Sequence, residues 1–395
     1  MADLRIFSKK SFLLVQIVCT LLMSFATRNI SAALETEVTT YNVSDMVPFD
    51  NSPSNISHRY QNLRALFGQH RTGHSVRSQA WFSDYSQGRS IFKNVSEYYD
   101  EGIVLVVSLD GTAQYSNIQD AIDQVPEFNT RRVTIFVTSG VYEEKVIIPP
   151  TKPYLTLLGE GRTRTIITWH DTAASAGTLM SASVTVESDH FIARDISFRN
   201  TAGYPAPNKT NMQAAAFRIS GDKAFLYRCN FYGHQDTLYD HSGRHYYFRC
   251  YIEGSEDFIF GIARSLFERC WLHSIAIGEG GALVAQGKYF PGSIMGPSGF
   301  SFLRCNITGT GRPYLGRAWG QYSTVVYSYC QIDANVIPVG WYDWGLRERD
   351  GTVYLGEYEC TGKGANTTGR VGWSRELTTE DAQPFLSIQF VDGPW

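Results

Sequence analysis

Two aspartates stand at equivalent points of a repeated phrase. Tyr227-Arg228-Cys229-Asn230-Phe231-Tyr232-Gly233 is echoed by Phe248-Arg249-Cys250-Tyr251-Ile252-Glu253-Gly254, and seven residues after each cysteine comes an aspartate, Asp236 and Asp257. The copies are offset by 21 residues. If they are successive coils of a stacked structure, the aspartates fall in register on neighbouring strands, about 4.7–4.9 Å apart at the backbone. Carboxylates that close cannot both ionise freely, so one pKa should rise. A protonated carboxyl beside an ionised one can serve as an acid next to a nucleophile or base. One such aspartate alone reads as a turn residue. Two in register, set among Thr237-Leu238-Tyr239 and Phe258-Ile259-Phe260-Gly261, favour chemistry.

Such a pair needs a scaffold that repeats. The phrase returns as Phe267-Glu268-Arg269-Cys270-Trp271-Leu272, Phe302-Leu303-Arg304-Cys305-Asn306-Ile307 and Tyr327-Ser328-Tyr329-Cys330-Gln331-Ile332. Upstream, Ile192-Ala193-Arg194-Asp195-Ile196-Ser197-Phe198 keeps the rhythm without the cysteine. A period of roughly 20–25 residues signals a solenoid. Each copy is a short alternating run closed by a turn residue, which reads as strand. Little room is left for helices, and the leucine-rich-repeat pattern is absent. The fold class is therefore all-β, a parallel β-helix in which equivalent residues form ladders. Earlier runs such as Ile103–Val107, Val133–Val137 and Leu155–Leu158 extend the strand pattern towards the N-terminus. Ser116–Asp123 is predicted as a short capping helix with Ser116 as N-cap. Asp381–Leu386 is predicted to close the opposite end.

The chain has 395 residues, with 35 glycines, 23 tyrosines and 23 phenylalanines, as suits a turn-rich β protein with aromatic surfaces. Residues 1–33 read as a secretory signal: Lys9 and Lys10, then an apolar run from Phe12 to Ala26 too short for a comfortable span, then Ser31-Ala32-Ala33. Their loss would take the formal charge from −3 to about −6. Residues 34–95 are polar and read as an N-terminal extension; residues 96–395 form the β domain. Sequons at Asn42, Asn55, Asn94, Asn208, Asn306 and Asn366 are coherent with a secreted, extracellular glycoprotein. Outside the signal, six cysteines keep the spacing of the repeat, and no CxxC occurs, so no metal site is expected. Adjacent coils bring Cα atoms into disulfide range, and Cys250–Cys270 is the expected bridge. The other cysteines are expected as buried ladder thiols.

From about residue 96 onward the chain resembles the plant pectin methylesterases (pectinesterases). The resemblance rests on Gly140-Val141-Tyr142-Glu143-Glu144, Gln213-Ala214-Ala215-Ala216-Phe217-Arg218, Gln235-Asp236-Thr237-Leu238, Asp257-Phe258-Ile259-Phe260-Gly261 and Leu315-Gly316-Arg317-Ala318-Trp319, in the family's order and spacing. It implies a right-handed parallel β-helix and a cofactor-free esterase acting on methylated homogalacturonan (pectin) in the cell wall. By that resemblance Asp257 is the nucleophile and Asp236 the proton donor and later base. Arg317 orients the nucleophile, and Gln235 and Gln213 stabilise the oxyanion. Ser183, Trp319, Tyr239, Phe260 and Trp341 are candidate sugar-contacting residues. Ser183 stands where the family usually has threonine. The resemblance also implies the shorter type without an inhibitor-like pro-domain, and a proteinaceous inhibitor as a plausible partner. A monomer is expected, with no nucleic-acid partner and no membrane association after signal cleavage.

Two other classes compete. Paired carboxylates about 5 Å apart also suit a retaining glycosidase on the same polymer. A carbohydrate-binding module with a decayed site would have lost at least one of Gln213, Gln235, Asp236, Asp257 and Arg317.

Overall fold

The computed structural model describes residues 103–203, 209–291, 297–393 and 395. The expected signal and extension, and the sequons at Asn42, Asn55, Asn94 and Asn208, lie outside the described residues.

The strands assemble into three parallel sheets of eleven, eight and eight strands, here sheets A, B and C. One coil takes one strand from each, for example Arg244–Phe248 in A, Tyr251–Gly254 in B and Ile259–Gly261 in C. The next coil pairs with it in parallel register in all three sheets. Crossovers between parallel strands are right-handed in nearly all proteins, and the chain is a right-handed parallel β-helix, as expected.

The A-to-B corner is made the same way on seven coils. Asp195, Arg228, Arg249, Arg269, Arg304, Tyr329 and Glu359 adopt the left-handed conformation, with φ between 49° and 56°. One left-handed residue turns the chain sharply enough to leave one sheet and enter the next. On the last six of these coils the following residue is a cysteine pointing inward, five of them almost fully buried. The expected Cys250–Cys270 bridge is corrected here: both are free thiols. Cys250 donates to the Leu226 carbonyl at 3.4 Å and Cys270 to the Tyr247 carbonyl at 3.5 Å. Strict stacking at about 4.8 Å holds ladder neighbours beyond the ~3.5–4.5 Å Cβ separation a disulfide requires. Beside them runs an aromatic stack, Tyr247, Phe267, Phe302 and Tyr327, with ring centroids 4.4, 4.7 and 4.7 Å apart.

The N-terminal opening is covered by a helix, Ile118–Asp123, through Ile118, Ala121 and Ile122. Its cap differs from the expected one. Neither Ser116 nor the N-cap residue Asn117 supplies a side-chain cap. Glu144 reaches in from the next strand region to accept the backbone N–H groups of Ile118 and Gln119 at 2.8 and 3.0 Å. The expected C-terminal closure is also corrected. The segment containing Thr379–Ala382 and Gln383–Phe385 lies on the outward side of sheet A, where Ala382 packs with Val326, Tyr358 and Leu377. Ser301 donates to the Phe385 carbonyl at 2.8 Å.

Alternation along the strands of sheet C turns Leu238 and Ile259 inward and sends a row outward: Arg218, Tyr239, Phe260, Ala285, Arg317 and Tyr342, paired coil by coil. The long strands Trp271–Ala282 and Asn306–Tyr314 rise beside this row at the B-to-C corner. Row and wall frame the site.

Candidate active site

Asp236 and Asp257 sit at the B-to-C corner on adjacent coils, each two residues before the first residue of a sheet C strand, Leu238 and Ile259. Leu238 pairs with Ile259, and Gln235 bridges Glu256, so the two carboxylates are in register. Both residues are left-handed, with φ of 64° and 47°. This conformation is uncommon outside glycine, asparagine and aspartate, and two occurrences in register mark the corner as specified. Their backbone N–H groups are held by the Glu256 and Ala282 carbonyls, at 3.0 and 2.7 Å.

Their surroundings make the two carboxylates unequal. Asp236 is 1 % exposed and Asp257 2 %. Neither oxygen of Asp236 has a hydrogen-bond partner, and Oδ1 of Asp257 has none. Asp257 Oδ2 accepts from Arg317, whose guanidinium also meets Glu256 at 2.9 Å. Burial drives the Asp236 pKa well above the carboxylate range, and the neighbouring charges of Asp257 and Glu256 add to it. Burial also raises Asp257, but Arg317 opposes it and holds the value to about 6. At neutral pH the geometry therefore gives a protonated Asp236 beside an ionised Asp257. Arg317 is itself raised: the attraction of Asp257 and Glu256 exceeds the cost of its burial. Its guanidinium lies 4.1 Å from the Trp344 ring centroid, a cation–π contact that fixes it from the other side.

Gln235 lies beside Asp236, half-buried. Gln213 is on the preceding coil, since the Ala214 N–H donates to the Gln235 carbonyl at 3.0 Å. Gln213 is buried and its Oε1 is unpartnered. Tyr239 stacks on Phe260 at 4.2 Å, and Phe260 meets Trp319 at 6.2 Å. In this cluster Tyr239 and Trp319 are half-buried and present surface, whereas Phe260, 1 % exposed, is covered by them. Gly287 is required there, because a Cβ would come within 2.6 Å of the Trp319 ring.

Two expected sugar-contacting residues are not in the groove. Trp341 is 1 % exposed and belongs to the interior, 5.9 Å from Tyr327. Alternation along Trp341–Tyr342 sends Trp341 inward and Tyr342 outward to pair with Arg317. Ser183 is fully buried and its hydroxyl donates to the Arg199 carbonyl at 2.8 Å, so it is used within the fold. Sequence reasoning missed Glu256 and Trp344, the two groups that flank Arg317. Glu256 was visible as an acid next to Asp257; Trp344 carried no repeat signal.

It also missed a polar cluster at the next inward position. Asp240 is fully buried, accepting from His245 Nδ1 at 2.6 Å and from the Tyr247 hydroxyl at 2.7 Å. His241 lies beside Tyr239 and Arg218 Nη2, 3.3 Å from the latter, and burial lowers its pKa to about 3. It stays neutral at working pH.

A family model described as Pectinesterase matches residues 104–394. The chain is 46 % identical over 299 residues to "Pectinesterase QRT1" of Arabidopsis thaliana, covering 73 % of this chain and 77 % of that one. Among solved structures, the pectin methylesterase from carrot is similar with a TM-score of 0.69 and 35 % identity, over 74 % of this chain and 94 % of that one. The Aspergillus niger pectin methylesterase is similar with a TM-score of 0.63 and 30 % identity, over 74 % and 96 %.

Proposed function

The chain belongs to the pectinesterase family, and from that premise we propose how its residues carry out the hydrolysis of pectin methyl esters. Asp257 attacks the ester carbonyl through its free Oδ1, while Arg317 keeps the carboxylate ionised. The amides of Gln235 and Gln213 donate to the developing oxyanion. Asp236 transfers its proton to the departing methoxide, so methanol leaves and an acyl-enzyme anhydride remains. Water then attacks the acyl carbon. Asp236, now a carboxylate, takes the water's proton, and the Asp257–acyl bond breaks to release the galacturonate carboxyl. Protons and charges balance, and both aspartates return to their starting states.

The observation that carries this reading is the asymmetry of the pair. In-register carboxylates share one corner, yet Arg317 reaches only Asp257. The test is methanol release from highly methylated pectin by wild type and Asp257→Asn, with reducing ends assayed in the same tubes. Methanol from wild type alone, without new reducing ends, supports the assignment. New reducing ends would point to chain cleavage instead, and full activity in Asp257→Asn would remove its role.

The remaining expectations belong to the same reading. Residues 1–33 direct secretion and are removed, 34–95 form an extension, and 96–395 are the catalytic domain of a monomeric, wall-localised enzyme of the shorter type, open to a proteinaceous inhibitor. N-terminal sequencing of the secreted protein tests the first boundary: a mature chain that begins at Met1 would overturn it.

A further inference from the structure

The corner between sheets A and B carries a ladder of arginines that the reaction does not use. Arg228, Arg249, Arg269 and Arg304 occupy the same left-handed turn position on four consecutive coils. Each backbone N–H donates to the last strand residue of the next coil: Phe248, Glu268, Leu303 and Ser328 respectively. Coils in register are about 4.8 Å apart, so the four side chains leave the ridge at that interval. Arg162 joins them, donating to the Arg249 carbonyl at 3.2 Å.

Acidic neighbours do not neutralise this ridge. Asp195 pairs with Arg228 and Arg194 at its N-terminal end, at 2.7 and 2.9 Å. Glu268 precedes Arg269, but its carboxylate accepts the Tyr246 hydroxyl at 2.8 Å. Glu359 lies beyond Tyr329, past the arginines. Among the described residues, Arg162, Arg249, Arg269 and Arg304 form no ion pair. Aromatic rings hold the heads in place: Arg249 lies 5.4 Å from the Phe248 centroid and Arg304 5.3 Å from that of Tyr329. Both side chains are exposed.

Turn geometry does not ask for arginine here. A left-handed position favours glycine or asparagine, and like charges at coil spacing repel. A row of cations in which Arg249, Arg269 and Arg304 form no ion pair and two heads lie on aromatic faces, on a chain of net negative charge, is complementary to a linear anion with charge repeated at a comparable interval. A small anion would engage one or two heads. A polyuronate carries one carboxylate per sugar and would engage the row.

We propose that this ridge is a second binding site, for de-esterified homogalacturonan, the polymer that the reaction leaves behind. It lies across the three-sided helix from sheet C, so a strand held there leaves the groove open to a neighbouring esterified chain. The enzyme would then stay on wall regions it has already de-esterified. The proposal rests on the reading that pectin is the substrate, but not on the roles of the two aspartates.

The test uses the full secreted protein on immobilised polygalacturonate, with salt-dependent retention as the readout. Arg249→Gln/Arg269→Gln/Arg304→Gln is compared with a charge-matched control, Arg131→Gln/Arg347→Gln/Arg375→Gln. Loss of three surface ion pairs should weaken retention about tenfold or more. Methanol release from short, soluble methyl-esterified oligogalacturonides should be unchanged, and the control should bind like wild type. Methanol release separates the two readings, since its absence in wild type would sink the substrate assignment rather than the ridge. Unchanged retention in the ridge variant, or equal loss in the control, would overturn the proposal. Equal ridge-dependent retention on a sulfated polysaccharide would overturn the assignment to polyuronate. Should the triple variant not fold, Arg249→Gln and Arg304→Gln singly, both at exposed heads, should each weaken retention about two- to fivefold; no change in either would overturn it.

Discussion

Replacing Arg317 with glutamine should move the acid limb of the activity profile to higher pH. In wild type the Asp257 pKa is already raised to about 6, because burial outweighs the pull of Arg317. Removing the guanidinium leaves Asp257 buried beside Glu256 with no cation. Breaking a buried ion pair costs roughly 3–5 kcal/mol, which at 1.36 kcal/mol per unit is about 2–4 pK units on the surviving carboxylate. Rather than remain charged, Asp257 takes up a proton. In the proposed mechanism the attacking form is the anion, so activity is lost as pH falls through the Asp257 pKa. At pH near 6 wild type retains half of its nucleophile as carboxylate, and the variant should retain on the order of 1 % or less. The predicted deficit is therefore about fifty-fold or more there, narrowing as pH rises. The assay is kcat for methanol release against pH, in wild type, Arg317→Gln and Arg317→Lys. The lysine variant should recover part of the shift, since it restores charge without the fork. A pH-independent loss in Arg317→Gln, with the acid limb unmoved, would refute the claim that Arg317 acts on the ionisation of Asp257.

Four further outcomes follow from the same geometry. Gln235→Ala and Gln213→Ala should each lower kcat by on the order of 10²–10³ with little change in KM, as expected for oxyanion donors; a KM effect alone would assign them to substrate binding. Asp236→Asn should abolish turnover yet raise stability at neutral pH. A raised carboxyl pKa means that the folded state binds the proton more tightly than the unfolded one. Its penalty is absent below the unfolded value, grows as pH rises above that value and is complete above the folded pKa, so it is already felt at pH 7. Chemical denaturation of the variant at pH 7 and pH 4 checks this, and a gain at pH 4 alone would contradict the sign. Asp240→Ala leaves the His245 and Tyr247 donors buried without an acceptor, so it should cost about 1–3 kcal/mol per orphaned group, read from urea midpoints with KM unchanged. With six free ladder thiols among the described residues, reductant should not lower Tm, and a protein lacking residues 1–33 should titrate six thiols under denaturing conditions; a Tm drop with reductant would restore the disulfide.

Much of this was legible because a β-helix writes its register into its repeat. The cysteine-to-aspartate spacing alone puts Asp236 and Asp257 on one corner, whereas Tyr239 and Phe260 come in only with the family resemblance and are shown as outward residues by the sheet C register. Legibility failed where the repeat thins. In Trp341–Tyr342, only two residues long, alternation could not be phased from sequence, and the wrong aromatic was assigned to the groove. Trp344 follows in a loop with φ of 67°, set only by tertiary packing on Arg317. The helix cap was misread for a related reason. Ser116 is a good local signal, but Glu144, 26 residues from Ile118, satisfies the same N–H groups from the adjacent coil.

The chemistry itself depends on the coils lengthening after Asp257. Strict repetition would give Asp236 and Asp257 like surroundings, and their repulsion would raise one pKa without fixing which of the two keeps the proton. From Leu238 to Ile259 the coil offset is 21, but from Ile259 to Val284 it is 25, and from Ala285 to Arg317 it is 32. The added residues raise the long strands Trp271–Ala282 and Asn306–Tyr314 at the corner following Asp257. They also deliver a cation to the row. Ala285, between Phe260 and Arg317 in that row, is small, and the long Arg317 side chain passes it to reach Asp257 and Glu256. Asp236, one coil further back, is left without a partner. The repeat thus supplies two carboxylates at strand spacing, and the longer coils that follow divide them into a protonated and an ionised one, the division that the proposed mechanism uses. Shortening the Asn306–Tyr314 strand should therefore abolish activity through the Asp257 ionisation, and a shortened variant that stays folded with an unmoved acid limb would show that the division arises elsewhere.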